Sequence, residues 1–462
     1  MRPINTSART LLEHELKRRG KSDAISLAKE SGVSVPSVHR IIRERGDAIV
    51  RVGTTRNTRY ALRRPLRGQL APIPVYAVDA AGRGRQLSAI ELIEPQGSTL
   101  DVGAIGWPVP AGCHAWWDGL PYPLQDMRPQ GFLGRSLARQ IAQDFNVSEN
   151  PEEWSDDDVV YVLSVRGHDN PGNLIIGEKA YRAYLSTLTQ PPEIIPEHLI
   201  QDRYAELAEI AIQYGGAGSS AAGEFPKFTA TRALPGATTP HVIVKFSGAD
   251  GSPAVRRWSD LLICEHLALE VLGSAGHVDA SRSRIIMAQG RTFLEVERFD
   301  RVGEFGRLAT GSLYGLDAAF VGMGNGSWVE AASRLAQIGL VPGSLIEKIR
   351  LLWWFGKLIA NTDMHFGNLS FFLGNELGLT PAYDMLPMSY PPLPGGEVPV
   401  RRFEVVLPMP EEQDAWNQAF DMARKFWELV ADDGRITEDF RGICRANLQQ
   451  LRLIGARLGL VV

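Results

Sequence analysis

Residues 359–372 read "IANTDMHFGNLSFF" and follow the apolar run "LLWWFGKL" at 351–358. The run has the composition of a buried helix. Asn361, Asp363, His365 and Asn368 then interrupt it within a single short loop. Polar side chains next to a core are costly unless they pair or bind something. The pattern therefore predicts a site: a tight loop that aims a carboxylate and an amide toward one pocket, braced by Asn361 and His365.

Downstream, "LSFFLGNELGLT" (369–380) alternates like a hairpin and leads into "PAYDML". Such a hairpin returns Asp384 beside Asn368. An amide oxygen and a carboxylate are hard ligands that suit Mg²⁺. Upstream, "GGAGSSAAGEFPKF" (215–228) is a Gly-rich loop between a helix and a strand. Its Gly218 and Gly223 allow backbone N–H groups to approach phosphates, although the loop lacks the Walker A pattern. Lys245 ends the buried strand "HVIVKFS". Taken singly, that loop reads as a linker and that lysine as an edge residue snorkelling to solvent. Taken in order, they precede a D-x₄-N pair and a further Asp. That is the arrangement of phosphoryl-transfer sites in protein kinases. Asp363 then orients an attacking hydroxyl, Asn368 and Asp384 hold Mg²⁺, and Lys245 meets the phosphates of ATP.

The first 67 residues carry 16 Lys/Arg against 6 Asp/Glu, a net of +10; the rest carries 33 against 47, a net of −14. A basic head on an acidic body points to a polyanion as the partner of the head. The head has helical periodicity in "SARTLLEHELKRRG" and in "SDAISLAKESGVSVPSVHRIIRERG". Ser22 is the expected N-cap of the second helix, and Pro36 suits the first turn of the third. Val35, Val38, Ile41 and Ile42 face inward, leaving Ser37, Arg40 and Arg43 outward. This is a helix-turn-helix pattern with a reader helix. "AIVRVGTTRNTRYAL" adds two strands around a tip carrying Arg56 and Arg59, as in a wing. Duplex DNA is the expected partner; a protein-interaction module is the alternative.

The chain has 462 residues, 44 % hydrophobic and 22 % charged, which bounds it to a multidomain globular protein. Cys113, Cys264 and Cys444 form no CxxC pair, so neither zinc nor a disulfide framework is expected, and a reducing cytoplasm fits. No signal peptide and no membrane span is expected. The expected divisions are a winged helix-turn-helix at 1–64, a Pro/Gly-rich linker at 65–74, a subdomain at 75–200, an ATP-binding lobe at 201–305 and a helical lobe at 306–462.

Together these motifs resemble the HipA family of bacterial serine/threonine kinase toxins over roughly residues 75–450. The resemblance implies an α+β, bilobal, protein-kinase-like fold with a mostly helical C-terminal lobe. It implies that Ser220, or Ser219 beside it, is autophosphorylated, and that "VERFDR" (296–301) lies against adenine through Glu297 and Phe299. Glu265 becomes the partner of Lys245. "DMRPQGFLGR" (126–135) resembles an element of the family's N-terminal subdomain. Where many members carry a polar helix, this chain has "GSLYGLDAAFVGMG" (311–324). Typical members draw DNA binding from a HipB antitoxin, whereas this chain has its own head, as in the YjjJ-type branch. Whether a separate HipB-like antitoxin joins it stays open, as does the protein substrate. The alternatives are a DNA-binding regulator whose kinase-like body only senses nucleotide, and a toxin acting on a nucleic acid or small molecule.

Overall fold

The structure is a computed structural model that describes residues 6–113, 115–215 and 224–460. The chain divides into two units. One holds residues 1–79, 83–128 and 154–189; the other holds 80–82, 129–153 and 190–462.

The first unit opens with α1 (Thr6–Arg19), strand β1 (Lys21–Ser22), α2 (Ala24–Ser31) and α3 (Val35–Arg45). Leu12, Leu16, Leu27, Val38 and Ile41 close one apolar cluster between the helices. The N-cap of α2 is Asp23 rather than Ser22: its carboxylate accepts from the Ser26 amide at 2.9 Å. Ser22 instead belongs to β1, opposite Tyr60. Gly32 ends α2 at φ 67°, a left-handed conformation that favours glycine. β2 (Ile49–Val52) and β3 (Arg59–Leu62) form an antiparallel hairpin, in sheet order β1-β3-β2.

The back of that hairpin is not free. Val50 and Ala61 pack against Ile93 and Trp116. The segment expected as a linker is held down as well. Leu66 and Gln69 exchange backbone bonds, Arg64 reaches Asp157, and Arg67 meets Asp158 at 2.6 Å. A five-stranded antiparallel sheet follows: β4 (Ile73–Val78), β5 (Gly84–Leu92), β6 (Ser98–Thr99), β7 (Trp116–Trp117) and β8 (Leu174–Ile176), in order β7-β6-β5-β4-β8. Helix α4 (Gly131–Phe145) belongs to the second unit, although it falls within the expected 75–200 subdomain. α5 (Asp156–Arg166) begins on a Ser155/Asp158 capping box, and α6 (Glu178–Thr189) seats Ala180 and Tyr184 against Val78 and Ile175.

In the second unit, α7 (Ile200–Gly215) leads to β9 (Lys227–Thr231), β10 (His241–Phe246), α8 (Pro253–Ala275), β11 (Ser283–Ala288) and β12 (Arg291–Glu297). The four strands form one antiparallel sheet, order β11-β12-β10-β9. Strand alternation decides what each face does. Val242, Val244 and Phe246 join Tyr204 and Ala208 of α7 and Phe132 of α4 in a core. Ile243 and Lys245 take the opposite face, where Lys245 meets α8. Helix α8 starts on Ser252, whose hydroxyl accepts from the Val255 amide, and on Pro253; it ends at Gly276, φ 71°.

The remaining elements are β13 (Arg301–Val302), β14 (Gly306–Arg307), β15 (Thr310–Ser312), α9 (Leu313–Phe320), α10 (Trp328–Gln337), α11 (Ser344–Leu358), β16 (Ser370–Phe372), β17 (Gly378–Leu379), α12 (Gln413–Asp432) and α13 (Glu438–Arg457). The last helices pack around fully buried Phe355, Trp416, Phe420, Phe426 and Trp427. The architecture is thus mixed helix and sheet with a helical C-terminal part, as expected. Among the described residues, no helix is long and apolar enough to cross a membrane.

Candidate active site

Helix α11 delivers the polar loop that opened the sequence reading. The Trp427 indole donates to the Leu358 carbonyl at 3.0 Å, satisfying one of the acceptors that a helix C-terminus leaves open. Asn361 then folds back, its amide donating to the Gly356 carbonyl at 2.9 Å. Gly356 lies close under Met364: a Cβ there would stand 2.5 Å from its sulfur, the end of a flexible side chain. The loop is therefore laid directly on its own helix.

Most of the polar cluster satisfies itself. Buried Asn361 accepts from the Asp363 amide at 3.0 Å through Oδ1 and directs Nδ2 to the Asp384 carbonyl at 3.4 Å. Asn368 Nδ2 donates to the Asp363 carbonyl at 2.8 Å. His365 Nδ1 accepts from the Gly367 amide at 3.0 Å, which leaves its proton on Nε2. The Asp363 side chain is exposed. Three polar residues hold the loop and leave its one carboxylate outward.

The hairpin expected after the loop is present, with Phe371 opposite Leu379 and Phe372 opposite Gly378. It brings the Asp384 segment back: the Tyr383 hydroxyl donates to the Gly367 carbonyl at 2.8 Å and lies 2.7 Å from the Ser370 hydroxyl. Asp384 sits at φ 53°, a left-handed conformation that Asp tolerates better than most residues. Its carboxylate bonds to the Lys245 ammonium.

Lys245 also donates to both carboxylate oxygens of Glu265, at 2.7 and 2.8 Å. The Glu265 side chain is 1 % exposed, Lys245 9 % and Asp384 33 %, so the trio opens toward solvent only at Asp384. Two carboxylates share one ammonium, leaving one negative charge in excess. Burial, the largest influence, pushes Glu265 up to about 7, and the charge of Asp384 adds to the rise while Lys245 opposes it. Burial also raises Asp384, but Lys245 outweighs it and holds this carboxyl below the usual range. For Lys245, burial is outweighed by Asp384 and Glu265, which hold the ammonium above its ordinary range.

An uncompensated buried negative charge next to an exposed carboxylate suits a divalent cation. Among the described residues no group of three or more His, Cys, Asp or Glu is placed to hold a metal. Mg²⁺ usually keeps several waters and takes only one or two carboxylates from a protein. Asn368 and Asp384 are the residues that would hold it.

The two residues expected at adenine separate. Glu297 lies opposite Val242 in the sheet, on the face away from Lys245. Its carboxylate accepts from Arg232 at 2.9 Å and Thr238 at 3.0 Å, and its amide donates to the Arg282 carbonyl at 2.9 Å. Phe299 does line the Asp384 side, 5.4 Å from the Tyr383 ring and 6.1 Å from Phe372. Gly218, Ser219, Ser220 and Gly223 lie outside the described residues.

Three residues that motif reading passed over stand beside the trio. Lys227 faces Lys245 across the β9–β10 pair. Its ammonium is 2.9 Å from Glu224, which also receives Arg135 of α4 at 3.0 Å. The "DMRPQGFLGR" element contains Gly131, where a Cβ would stand 2.7 Å from the Glu224 carboxylate. Counting alternate positions in "KFTAT" would have placed Lys227 on one face of the strand, but not the face.

In the first unit, Arg43 on α3 is exposed, while Arg40 and Ser37 are half-buried. The Ser37 hydroxyl lies 3.0 Å from that of Ser34. Arg59 is half-buried at the start of β3, and Arg56 lies in the turn Thr55–Asn57 before it.

Comparison with known proteins gives the family. Residues 69–185 match the model of the YjjJ-like toxin middle domain, and residues 219–446 match that of the HipA-like C-terminal domain. The chain is 38 % identical over 450 residues to Toxin YjjJ of Escherichia coli (strain K12), covering 96 % of this chain and 99 % of that protein. A Shewanella oneidensis MR-1 HipA, solved with HipB and its operator DNA, aligns at TM-score 0.47 and 14 % identity over 84 % of this chain and 98 % of that one. The Helicobacter pylori proinflammatory kinase CtkA aligns at TM-score 0.36 and 11 % identity over 52 % and 93 %. At those scores the assignment rests on the sequence matches. They show that this chain belongs to the HipA-like toxins, in the YjjJ-like branch.

Proposed function

We propose that this chain is a serine/threonine protein kinase toxin that uses ATP and Mg²⁺ and carries its own DNA-binding head. The observation that carries the reading is the Lys245 ammonium fixed between Glu265 and Asp384, in the same unit as the outward carboxylate of Asp363. Lys245 contacts ATP phosphates. Asp363 orients a serine or threonine hydroxyl of the protein substrate and takes its proton as the oxygen bonds to the γ-phosphorus and the bond to the ADP oxygen breaks. Mg²⁺, when bound, offsets the negative charge that develops on the phosphates. Ser220 is the favoured autophosphorylation position.

For the head, we read α2 and α3 as a helix-turn-helix and the β2–β3 hairpin as its wing, with Ser37, Arg40 and Arg43 toward the bases and Arg56 and Arg59 toward the backbone or minor groove of duplex DNA. The local net charge of +10 supports this. The deciding experiment incubates purified protein with γ-labelled ATP and Mg²⁺, then maps phosphoserine and phosphothreonine. Label incorporated by wild type and absent from Asp363→Asn supports the kinase. Incorporation unaffected by that change overturns the role of Asp363, and no ATP binding at all overturns the reading.

A further inference from the structure

We infer that Trp328 is a positioning residue of this site: its indole holds the His365 carbonyl, and that carbonyl anchors the turn that presents Asn368. The inference rests on the proposed use of Mg²⁺ and adds residues that the D-x₄-N motif does not contain.

Asn368 closes a single tight turn, Phe366–Asn368, and its backbone amide donates to the His365 carbonyl at 3.0 Å. The same carbonyl accepts the Trp328 Nε1–H at 3.0 Å, so both of its lone pairs are used. Asn368 Nδ2 donates in turn to the Asp363 carbonyl at 2.8 Å, which leaves Oδ1 as the atom for an ion. One carbonyl therefore links an indole outside the loop to the amide that would hold Mg²⁺ and to the residue that orients the hydroxyl. Trp328 is 1 % exposed, and a buried indole N–H without an acceptor is costly, so ring and loop fix each other.

The stretch that delivers Trp328 is the one in which this chain departs from the polar helix of many family members. It is tied to the catalytic loop at both ends. β15 pairs with β16, and the Leu313 amide donates to the Leu369 carbonyl at 2.8 Å, just beyond Asn368. Trp328 makes the second tie at His365, just before the turn. Between the ties, buried Asp317 sets the path. Its carboxylate accepts from the Met323 and Gly324 amides at 3.1 and 2.8 Å, and its carbonyl from those of Val321 and Gly322 at 2.9 and 2.7 Å. Gly322 and Gly324, at φ 79° and 75°, take the left-handed conformations that this path requires. Ser327 then caps α10, its hydroxyl accepting from the Val329 amide at 3.2 Å, with Trp328 as the first residue of the helix. Trp353 of α11 packs against the Trp328 ring, centroids 5.9 Å apart. Packing and hydrogen bond thus involve different partners and can be separated.

The test is the Mg²⁺ concentration that half-saturates the full chain, read both by the rise in melting temperature and by the rate of phosphoryl transfer from ATP. Trp328→Phe keeps an aromatic ring and removes the N–H. It should raise that concentration roughly two- to tenfold, the worth of one hydrogen bond in an equilibrium. At saturating Mg²⁺ its rate should return close to that of wild type, because the ion then holds Asn368 itself. ATP affinity without Mg²⁺, measured by competition against a fluorescent ATP analogue, should not change. Trp353→Phe alters packing alone and should leave the Mg²⁺ requirement as it is. Asp317→Asn, which loses one of two accepting oxygens, should shift the requirement in the same direction as Trp328→Phe. An unchanged half-saturation in folded Trp328→Phe, or an equal shift in Trp353→Phe, overturns the inference and leaves the kinase reading standing. Where Trp328→Phe does not fold, an unshifted Asp317→Asn overturns it as well. Wild type that responds to Mg²⁺ but transfers no phosphate overturns the kinase reading, and the melting shift then still decides whether Trp328 acts through Asn368. Wild type that responds to Mg²⁺ by neither measure overturns both.

Discussion

The Lys245 ammonium lies 2.7 and 2.8 Å from the two oxygens of buried Glu265, yet it also bonds to the half-buried Asp384, so one cation serves two carboxylates. This imbalance makes stability depend on pH in a definite direction. Glu265 has a folded pKa of about 7, above its unfolded value. In the interval between those values the folded state binds the extra proton. Its contribution is therefore fully present below the unfolded pKa and lost as pH rises through about 7. The span corresponds to stability on the order of 3 kcal/mol. Thermal melts in metal-free buffer should show a decline through this range that Glu265→Gln flattens, since the amide mimics the protonated acid. Asp384, held low, works in the opposite sense: its contribution is lost only as pH falls through its depressed value.

A divalent cation at Asp384 removes the excess charge. Mg²⁺ should raise the melting temperature more at pH 8 than at pH 5.5, because at the lower pH Glu265 has already taken up a proton. Asp384→Asn should abolish both the Mg²⁺ effect and its pH dependence, and should weaken Mg·ATP binding. An equal Mg²⁺ shift in wild type and Asp384→Asn would place the ion elsewhere.

Asp363 is exposed, so Asp363→Asn should leave melting within about 0.5 kcal/mol of wild type. ATP affinity should also persist. The rate of phosphoryl transfer should fall by roughly 10²–10⁴, the usual loss when a positioned general base is removed. Quench-flow with a saturating nucleotide separates the two effects. A variant that lost ATP binding and transfer together would make Asp363 part of the nucleotide cradle instead.

Much of this site is written locally in the chain. The D-x₄-N pair, the hairpin and Asp384 follow one another within 22 residues, and hairpin alternation carries the last back to the first. Lys245 is legible only in order with the D-x₄-N pair and Asp384, and Glu265, one of three acids on α8, only through the family resemblance. Other features depend on long-range register. Strand parity puts the Glu297 side chain on the α7 face, where Arg232 takes it. Lys227 looks like an ordinary edge lysine until the β9–β10 register is known. Helix α4 joins the second unit through Phe132 and Arg135, long-range contacts that chain order does not announce. At α2, Ser22 and Asp23 are both good caps, and Ser26 three residues after Asp23 decides between them.

Phosphorylation of Ser220 would add about −1.5 to −2 charge at pH 7. The added charge lies four residues before Glu224, in the loop expected to cradle phosphates. Repulsion should weaken ATP binding, so phosphorylated protein separated from unmodified protein should bind the fluorescent analogue less tightly. Ser220→Ala protein should not change on incubation with ATP. Equal affinity of the two forms would remove this switch.

The basic head should bind duplex DNA, and its two groups of residues should fail differently. The full chain is the right material, because the hairpin buries Val50 and Ala61 against Ile93 and Trp116 and a fragment ending at residue 67 would expose that apolar face. Arg40 and Arg43 lie on α3, the expected reader, so Arg40→Ala should lower the ratio of specific to nonspecific affinity, with about 1–3 kcal/mol lost at the base it reads. Arg56 lies in the hairpin turn, where a phosphate contact is expected. Arg56→Ala should weaken all sequences alike and lower the slope of log K against log salt by about one, since each phosphate contact releases roughly one counterion. The body carries a net −14, and added salt screens its repulsion of the phosphates, so affinity should depend less steeply on salt than the head alone would require. Selection from a random duplex library, followed by titrations from low to physiological salt, measures both effects. Folded protein that shows no salt-dependent binding to any duplex would assign the head to a protein partner.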